Sequence, residues 1–138
     1  MKVISFLNFK GGVGKTTSAH SIAAGLKMKG RKVLVIDMDP QGTLTFFSKG
    51  ERELNGDTRE ILFHEKTIGE AITNGEEFDF IGSNIKLATS ELLLNNGYNK
   101  EQKLKKAIDK MAKEYVYDFI LIDCPPSLSI FTLNALAA

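Results

Sequence analysis

Asn8-Phe9-Lys10-Gly11-Gly12-Val13-Gly14-Lys15-Thr16-Thr17 is the stretch whose reading decides the fold. Before it runs Val3-Ile4-Ser5-Phe6-Leu7, an apolar run that predicts a buried strand over Lys2–Asn8. After it, small residues with apolar ones at helical spacing predict a helix over Thr16–Lys29, stopped by Gly30. Strand, glycine-rich turn and helix in that order frame a phosphate-binding loop. The glycines let successive backbone N–H groups converge on one point, and the helix adds unpaired N–H groups and the positive end of its dipole. Gly11, Gly12, Val13, Gly14, Lys15, Thr16 and Thr17 are therefore the candidate nucleotide-binding residues. Lys15 offers a point charge to the β- and γ-phosphates, and the Thr16 hydroxyl a ligand to Mg²⁺.

Composition bounds the rest. With 138 residues the chain holds at most one domain, and 43% hydrophobic with 25% charged residues is ordinary for a globular protein. No apolar run is long enough to span a bilayer, and the N-terminal one is too short for a signal peptide. Cys124 has no partner for an internal disulfide, which fits a cytoplasmic protein, and one cysteine cannot hold an iron–sulfur cluster. Residues 1–50 carry eight Lys/Arg and two Asp, a charge of +6, whereas residues 51–138 sum to −5. The positive half is the half with the phosphate loop. Neither half has a dense basic run of the kind that marks a nucleic-acid patch.

Two later strands end in acids. Val33-Leu34-Val35-Ile36-Asp37 is a β-branched run suited to a parallel sheet covered on both faces. With the first strand and helix it makes a right-handed βαβ unit, so the residues after Ile36 lie near the phosphates. Those residues are Asp37-Met38-Asp39-Pro40-Gln41-Gly42. A carboxylate there can hold metal-bound water or orient an attacking water. Tyr117-Asp118-Phe119-Ile120-Leu121-Ile122-Asp123 is the second such strand, and its terminal Asp123 has the Walker B position, a carboxylate that holds Mg²⁺. Cys124-Pro125-Pro126-Ser127 leads the chain away, the prolines barring helix. Carboxylate neighbours raise a thiol's pKa, so Cys124 is read as unreactive.

The remaining segments are less informative. Gly42–Phe47 starts a short helix, and residues 48–66 read as a polar surface loop in which Arg52, Arg59 and His64 are solvated. Thr67 and Glu70 have capping-box spacing and open a short helix that ends near Asn74-Gly75. Phe78–Gly82 is a strand, Leu87–Leu94 a helix, and Asn99–Glu114 a helix buried along Leu104, Ala107, Ile108, Met111 and Ala112. Its outer lysines, Lys103, Lys105, Lys106, Lys110 and Lys113, are read as a solvated face. Gly25 inside the first helix is read as a point of close helix–sheet packing, and His20 as a residue without a chemical role.

The loop departs from the ordinary pattern G-x-x-x-x-G-K-[ST]: Phe9 stands where glycine is usual, and Lys10 precedes the glycine pair. Lys10–Thr17, K-G-G-V-G-K-T-T, resembles the deviant Walker A loop of the ParA/MinD family of P-loop ATPases. D-M-D-P-Q-G and D-C-P-P-S resemble the ParA/Soj branch, which segregates plasmids and chromosomes. The resemblance implies a doubly wound α/β P-loop fold, mostly parallel, with helices on both faces, of which residues 1–138 would be the N-terminal part of a single domain. It implies ATP and Mg²⁺ as cofactors, and hydrolysis of ATP to ADP and phosphate. Lys10 would reach a partner protomer's nucleotide, and Lys15 and Asp39 would join it in catalysis. Asp39 would position the attacking water, while Asp37 and Asp123 with Thr16 would support the metal. Asp39, Pro40 and Gln41, and Asp123 with Pro125, Pro126 and Ser127, would form the switches. Expected partners are a second copy, a ParB-like centromere-binding protein and non-specific DNA contacted through regions outside this stretch, with no membrane. The alternatives are a MinD-type membrane-associated ATPase and an inactive nucleotide-binding fragment.

Overall fold

The computed structural model describes residues 1–138. In chain order the elements are β1 (Lys2–Phe6), α1 (Lys15–Met28), β2 (Val33–Asp37), α2 (Thr43–Lys49), α3 (Thr58–Leu62), α4 (Ile68–Ala71), β3 (Thr73–Asn74), β4 (Asp79–Ile81), α5 (Lys86–Thr89), α6 (Glu91–Asn95), α7 (Lys103–Met111), β5 (Phe119–Asp123) and α8 (Ile130–Ala137). One sheet of five strands has the order β1-β5-β2-β4-β3. All pairs are parallel except β3 with β4. This is the expected α/β P-loop architecture, with one strand more than the sequence predicts.

Alternation along the continuous apolar strands divides the core between two faces. Val33, Val35 and Leu121 pack with Ala19 and Ala23 of α1 and Leu44 of α2. Leu34, Ile36, Ile120 and Ile122 pack on the other side with residues of α3 to α8, among them Ile61, Leu104, Ile108 and Phe131. β2 is buried along its whole length. Its last residue, Asp37, stands in register beside Asp123 at the end of β5. The two acids are therefore held side by side at the carboxyl ends of two interior strands, by ladders that apolar burial makes rigid.

Several expectations fail for physical reasons. β1 is half exposed rather than buried, with Ile4 at 40% exposure, because it lies at the sheet edge and pairs only β5. The residue that lets α1 approach the sheet is not Gly25, whose missing Cβ would meet nothing within 4 Å; Ala19 and Ala23, both fully buried, make that contact. The stretch read as one long loop contains α3, because Asp57 accepts the Glu60 N–H and the Glu60 carboxylate accepts the Asp57 N–H, a complete capping box. The box at Thr67 and Glu70 forms as its spacing predicts, but α4 stops at Ala71 and Thr73–Asn74 become an antiparallel edge strand. The Leu87–Leu94 helix divides at Ser90 into α5 and α6. The helix expected from Asn99 begins with a 3₁₀ turn at Lys100–Gln102 and ends at Met111, leaving Ala112 exposed. Leu104, Ile108 and Met111 do form its buried stripe.

Candidate nucleotide and magnesium site

The loop between β1 and α1 enters the helix through Gly14, whose φ of 87° lies in the left-handed region that a side chain resists. No side chain caps the helix, so its first N–H groups are left for a ligand. An open cleft of about 340 Å³ lies over this end, lined by Gly11–Thr17 together with Asp39, Thr43 and Pro126. The three motifs, far apart in sequence, thus meet in one place. Phe9 and Lys10 lie exposed at the loop's start, where the Lys10 N–H donates to Asn8 Oδ1 at 2.8 Å.

Thr16 lines the cleft, and Asp123 lies buried behind it. The Thr16 hydroxyl donates to Asp123 Oδ2 at 2.7 Å, while Asp123 Oδ1 is buried with no partner. Burial pushes the Asp123 carboxyl up to about 6, the Thr16 hydrogen bond and Lys15 pull it back, and Asp39 adds to the rise. A buried carboxylate with an orphaned oxygen beside a hydroxyl is a fit for a divalent cation. No cluster of three or more His, Cys, Asp or Glu side chains is present, so an ion here would complete its shell with phosphate oxygens and water. That sharing is typical of Mg²⁺.

Asp37 has a different environment, although it stands in register with Asp123. It is fully buried, and its Oδ2 accepts both the Thr45 hydroxyl at 2.6 Å and the Thr45 N–H at 2.9 Å. Its Oδ1 accepts the Asp39 N–H at 3.0 Å. Burial raises Asp37 to about 7, against the pull of the Thr45 and Asp39 donors. Asp39 itself is half-buried at the cleft, with Oδ1 accepting the Gln41 N–H at 2.9 Å. Pro40 and Gln41 form the turn closed by the Gly42 N–H on the Asp39 carbonyl at 2.9 Å. On the other side Pro125 is buried and Pro126 and Ser127 are exposed, with the Ser127 carbonyl accepting the Thr132 hydroxyl at 2.6 Å. Burial, then Asp123, raise the Cys124 thiol to about 12, which disfavours the thiolate.

Three residues of this neighbourhood carry no motif. Thr45, Thr58 and Ser83 surround the end of β2, the Thr58 hydroxyl reaching the Asp37 carbonyl at 2.6 Å and the Ser83 N–H reaching Thr45 Oγ1 at 2.8 Å. The Asp57-x-x-Glu60 capping spacing was a signal for the helix that carries Thr58; nothing in the sequence pointed to Thr45 or Ser83. Of the residues read as solvated or without a chemical role, Arg52 pairs with Glu76, Arg59 with Glu65, and the His20 ring meets Phe78 edge-on at 5.1 Å. No helix is long and apolar enough to cross a membrane.

Known proteins share this geometry. The sequence profile of a family described as an AAA domain matches residues 1–138. Among curated proteins, the sporulation initiation inhibitor protein Soj of Bacillus subtilis is 39% identical over 140 residues, covering 99% of this chain and 54% of Soj. The chromosome partitioning protein ParA of Myxococcus xanthus is also 39% identical, with 99% of this chain and 49% of that protein covered. Among solved structures, cobyrinic acid a,c-diamide synthase of Mycobacterium smegmatis, bound to an ATP analogue and magnesium, superposes with a TM-score of 0.92 at 39% identity. That match covers all of this chain and 57% of the synthase. A plasmid partition protein of Borrelia burgdorferi gives 0.86 at 34% identity, with 99% and 61% covered. The chain spans about half the length of the curated relatives it matches. With its deviant phosphate loop, two acid-ended strands and full-length profile match, the chain belongs to the ParA/Soj-type P-loop ATPase family.

Proposed function

We propose that the protein is a Mg²⁺-dependent, ATP-hydrolysing dimerisation switch that partitions plasmid or chromosomal DNA. The observation that carries this reading is the Thr16–Asp123 pair with its orphaned oxygen at a glycine-rich helix start, with Thr16 and Asp39 lining one cleft. The N–H groups of Gly11–Thr17 and the Lys15 ammonium would hold the β- and γ-phosphates. Thr16 and Asp123 would hold magnesium, with Asp37 supporting it from behind through the Asp39 segment; the ion would supply neutralisation of charge on the transferring phosphoryl group. Asp39, with Oδ2 free of a protein partner, would orient the attacking water. Lys10, exposed and with no carboxylate within ion-pairing distance, would reach the nucleotide of a second copy. Loss of the γ-phosphate would be read by Asp39–Gln41 on one side and Asp123–Ser127 on the other.

The partition role rests on the curated relatives named for chromosome partitioning and on the solved plasmid partition protein. By the same likeness a ParB-like protein would stimulate turnover, the dimer would bind DNA non-specifically, and the protein would work in the cytoplasm on the nucleoid. The synthase, solved with an ATP analogue and magnesium, has the same fold, so the partition reading rests on the curated relatives rather than on the fold.

The experiment uses the intact protein. Lys15→Ala should abolish ATP binding, and Lys10→Ala should spare binding while losing dimerisation and hydrolysis. Normal dimerisation and turnover in Lys10→Ala would overturn the switch reading. Co-sedimentation with DNA rather than liposomes in the presence of Mg-ATP separates a partition role from a MinD-type membrane role.

A further inference from the structure

We propose that Thr45 is a positioning residue that holds Asp39 at the phosphate cleft by tying Asp37, the first turns of α2 and the end of β4 into one unit. The proposal rests on the reading of Asp39 as the residue that orients the attacking water. Thr45 does not line the cleft and is 5% exposed, so it acts through its neighbours.

Each hydrogen-bonding valence of Thr45 near Asp37 is used. Its hydroxyl donates to Asp37 Oδ2 at 2.6 Å and accepts the Ser83 N–H at 2.8 Å, and its own N–H donates to Asp37 Oδ2 at 2.9 Å. Asp37 Oδ1 then takes the Asp39 N–H at 3.0 Å. Ser83, Thr45, Asp37 and Asp39 are therefore linked in series, and the segment between Asp37 and Thr45 is closed at its base by buried bonds. Asp39 is the second residue of that closed segment. Thr58 braces the same point from α3, donating to the Asp37 carbonyl at 2.6 Å. Gly42 brings the backbone against β4: a Cβ there would lie 2.9 Å from the Ser83 carbonyl oxygen, at a φ of 63°.

The arrangement has a clear chemical requirement. Valine would match threonine in shape but leave the Ser83 N–H without its acceptor and remove one donor from a buried carboxylate, each a costly omission in the interior. Serine would keep the hydroxyl. A water-orienting carboxylate loses much of its effect when misplaced by about 1 Å, whereas phosphate binding by Gly11–Thr17 does not pass through Thr45. The Thr45 defect must therefore fall on turnover more than on nucleotide affinity.

Thr45→Val, Thr45→Ser and Asp39→Ala are compared in the intact protein by steady-state ATPase kinetics and, without nucleotide, by amide hydrogen exchange. Thr45→Val is expected to lower kcat roughly 10- to 100-fold with KM for ATP changed by less than about threefold. Exchange at the Asp39 and Ser83 amides should accelerate in the valine variant. Thr45→Ser should restore both readouts. If Thr45→Val does not fold, Thr45→Ala, which leaves space rather than a methyl against the Ser83 N–H, is read in the same way. Normal kcat in Thr45→Val beside an inactive Asp39→Ala overturns the tie alone. Normal turnover in Asp39→Ala overturns the reading of Asp39 and the tie with it. A serine variant as impaired as the valine one would also overturn the proposal, since the hydroxyl would then not be what matters.

Discussion

The ends of β2 and β5 invite comparison. They are neighbours in one sheet, both strands are apolar to the last residue, both finish in aspartate, and the two aspartates stand in register. Yet Asp37 accepts three hydrogen bonds, two from Thr45 and one from Asp39, while Asp123 accepts one, from Thr16, and keeps a buried oxygen without a partner. At one end of the sheet, then, one acid closes a backbone segment and the other keeps a buried oxygen without a protein partner. Burial raises both carboxyls, so what separates them is the supply of donors, which comes from α2 for Asp37 and from the phosphate loop for Asp123. For an acid at a strand end, the bonded neighbours decide whether its oxygens are taken up by the frame or left without a protein partner.

The sharpest way to break that contrast is to remove each acid and read activity and stability separately. Asp123→Ala is expected to lower Mg²⁺-dependent turnover of the intact protein by a factor on the order of 10² to 10³. It should change the unfolding free energy by only about 1 kcal/mol or less, because an unpartnered buried oxygen leaves with it. Denaturant unfolding and an ATPase titration with Mg²⁺ check both halves. Asp37→Ala should do the reverse in stability: it strands the Thr45 hydroxyl and N–H and the Asp39 N–H, a loss of roughly 3 kcal/mol. Equal stability losses in the two variants would refute the distinction.

Gly42→Ala strains the same closed segment without touching a carboxylate. Its positive φ and the 2.9 Å approach to the Ser83 oxygen should cost about 1–3 kcal/mol and lower the melting temperature, a shift that differential scanning calorimetry would detect. The smallest expected effect is in pH. Asp37 and Asp123 rise from 3.8 to about 7 and about 6 on folding, so the native chain binds more protons than the unfolded one in that range. Their contribution to stability is present below about pH 4 and is lost as pH rises through 6 and 7. Melting curves in chelator should show Asp37→Asn flattening the upper part of this slope more than Asp123→Asn does; the opposite order would sink the assignment.

Much of this was legible in the chain itself. The phosphate loop follows from glycine placement, and β2, β5 and the stripe Leu104, Ile108, Met111 from burial periodicity, because all are read from residues close together in the chain. The capping box at Thr67 and Glu70 was legible for the same reason, and the one at Asp57 and Glu60 had the same spacing but sat in a polar stretch that read as loop. The edge strand Thr73–Asn74 was not legible, since two residues carry no period and pair only because β4 offers a free side. Gly25 misled because a glycine in a helix has two meanings, and only the neighbours of its absent Cβ tell them apart.

The sequence alone determined that a glycine-rich loop joins a strand to the helix opened by Lys15 and Thr16 in an α/β chain, and that acids end two buried strands. Those are local properties, set by glycine placement, apolar runs and the residue that stops each run. Tertiary structure decided which strand-end acid keeps an unpartnered oxygen, that Thr45, Thr58 and Ser83 surround the other, and that β1 lies half exposed at an edge. The grip on Asp37 depends on hydrogen bonds between partners 8 to 38 residues apart along the chain, with donors from α2, α3 and the segment after β4, and the Thr16–Asp123 bond joins residues 107 apart. No periodicity in the sequence encodes such meetings, because a hydrogen bond between distant segments leaves no spacing to read.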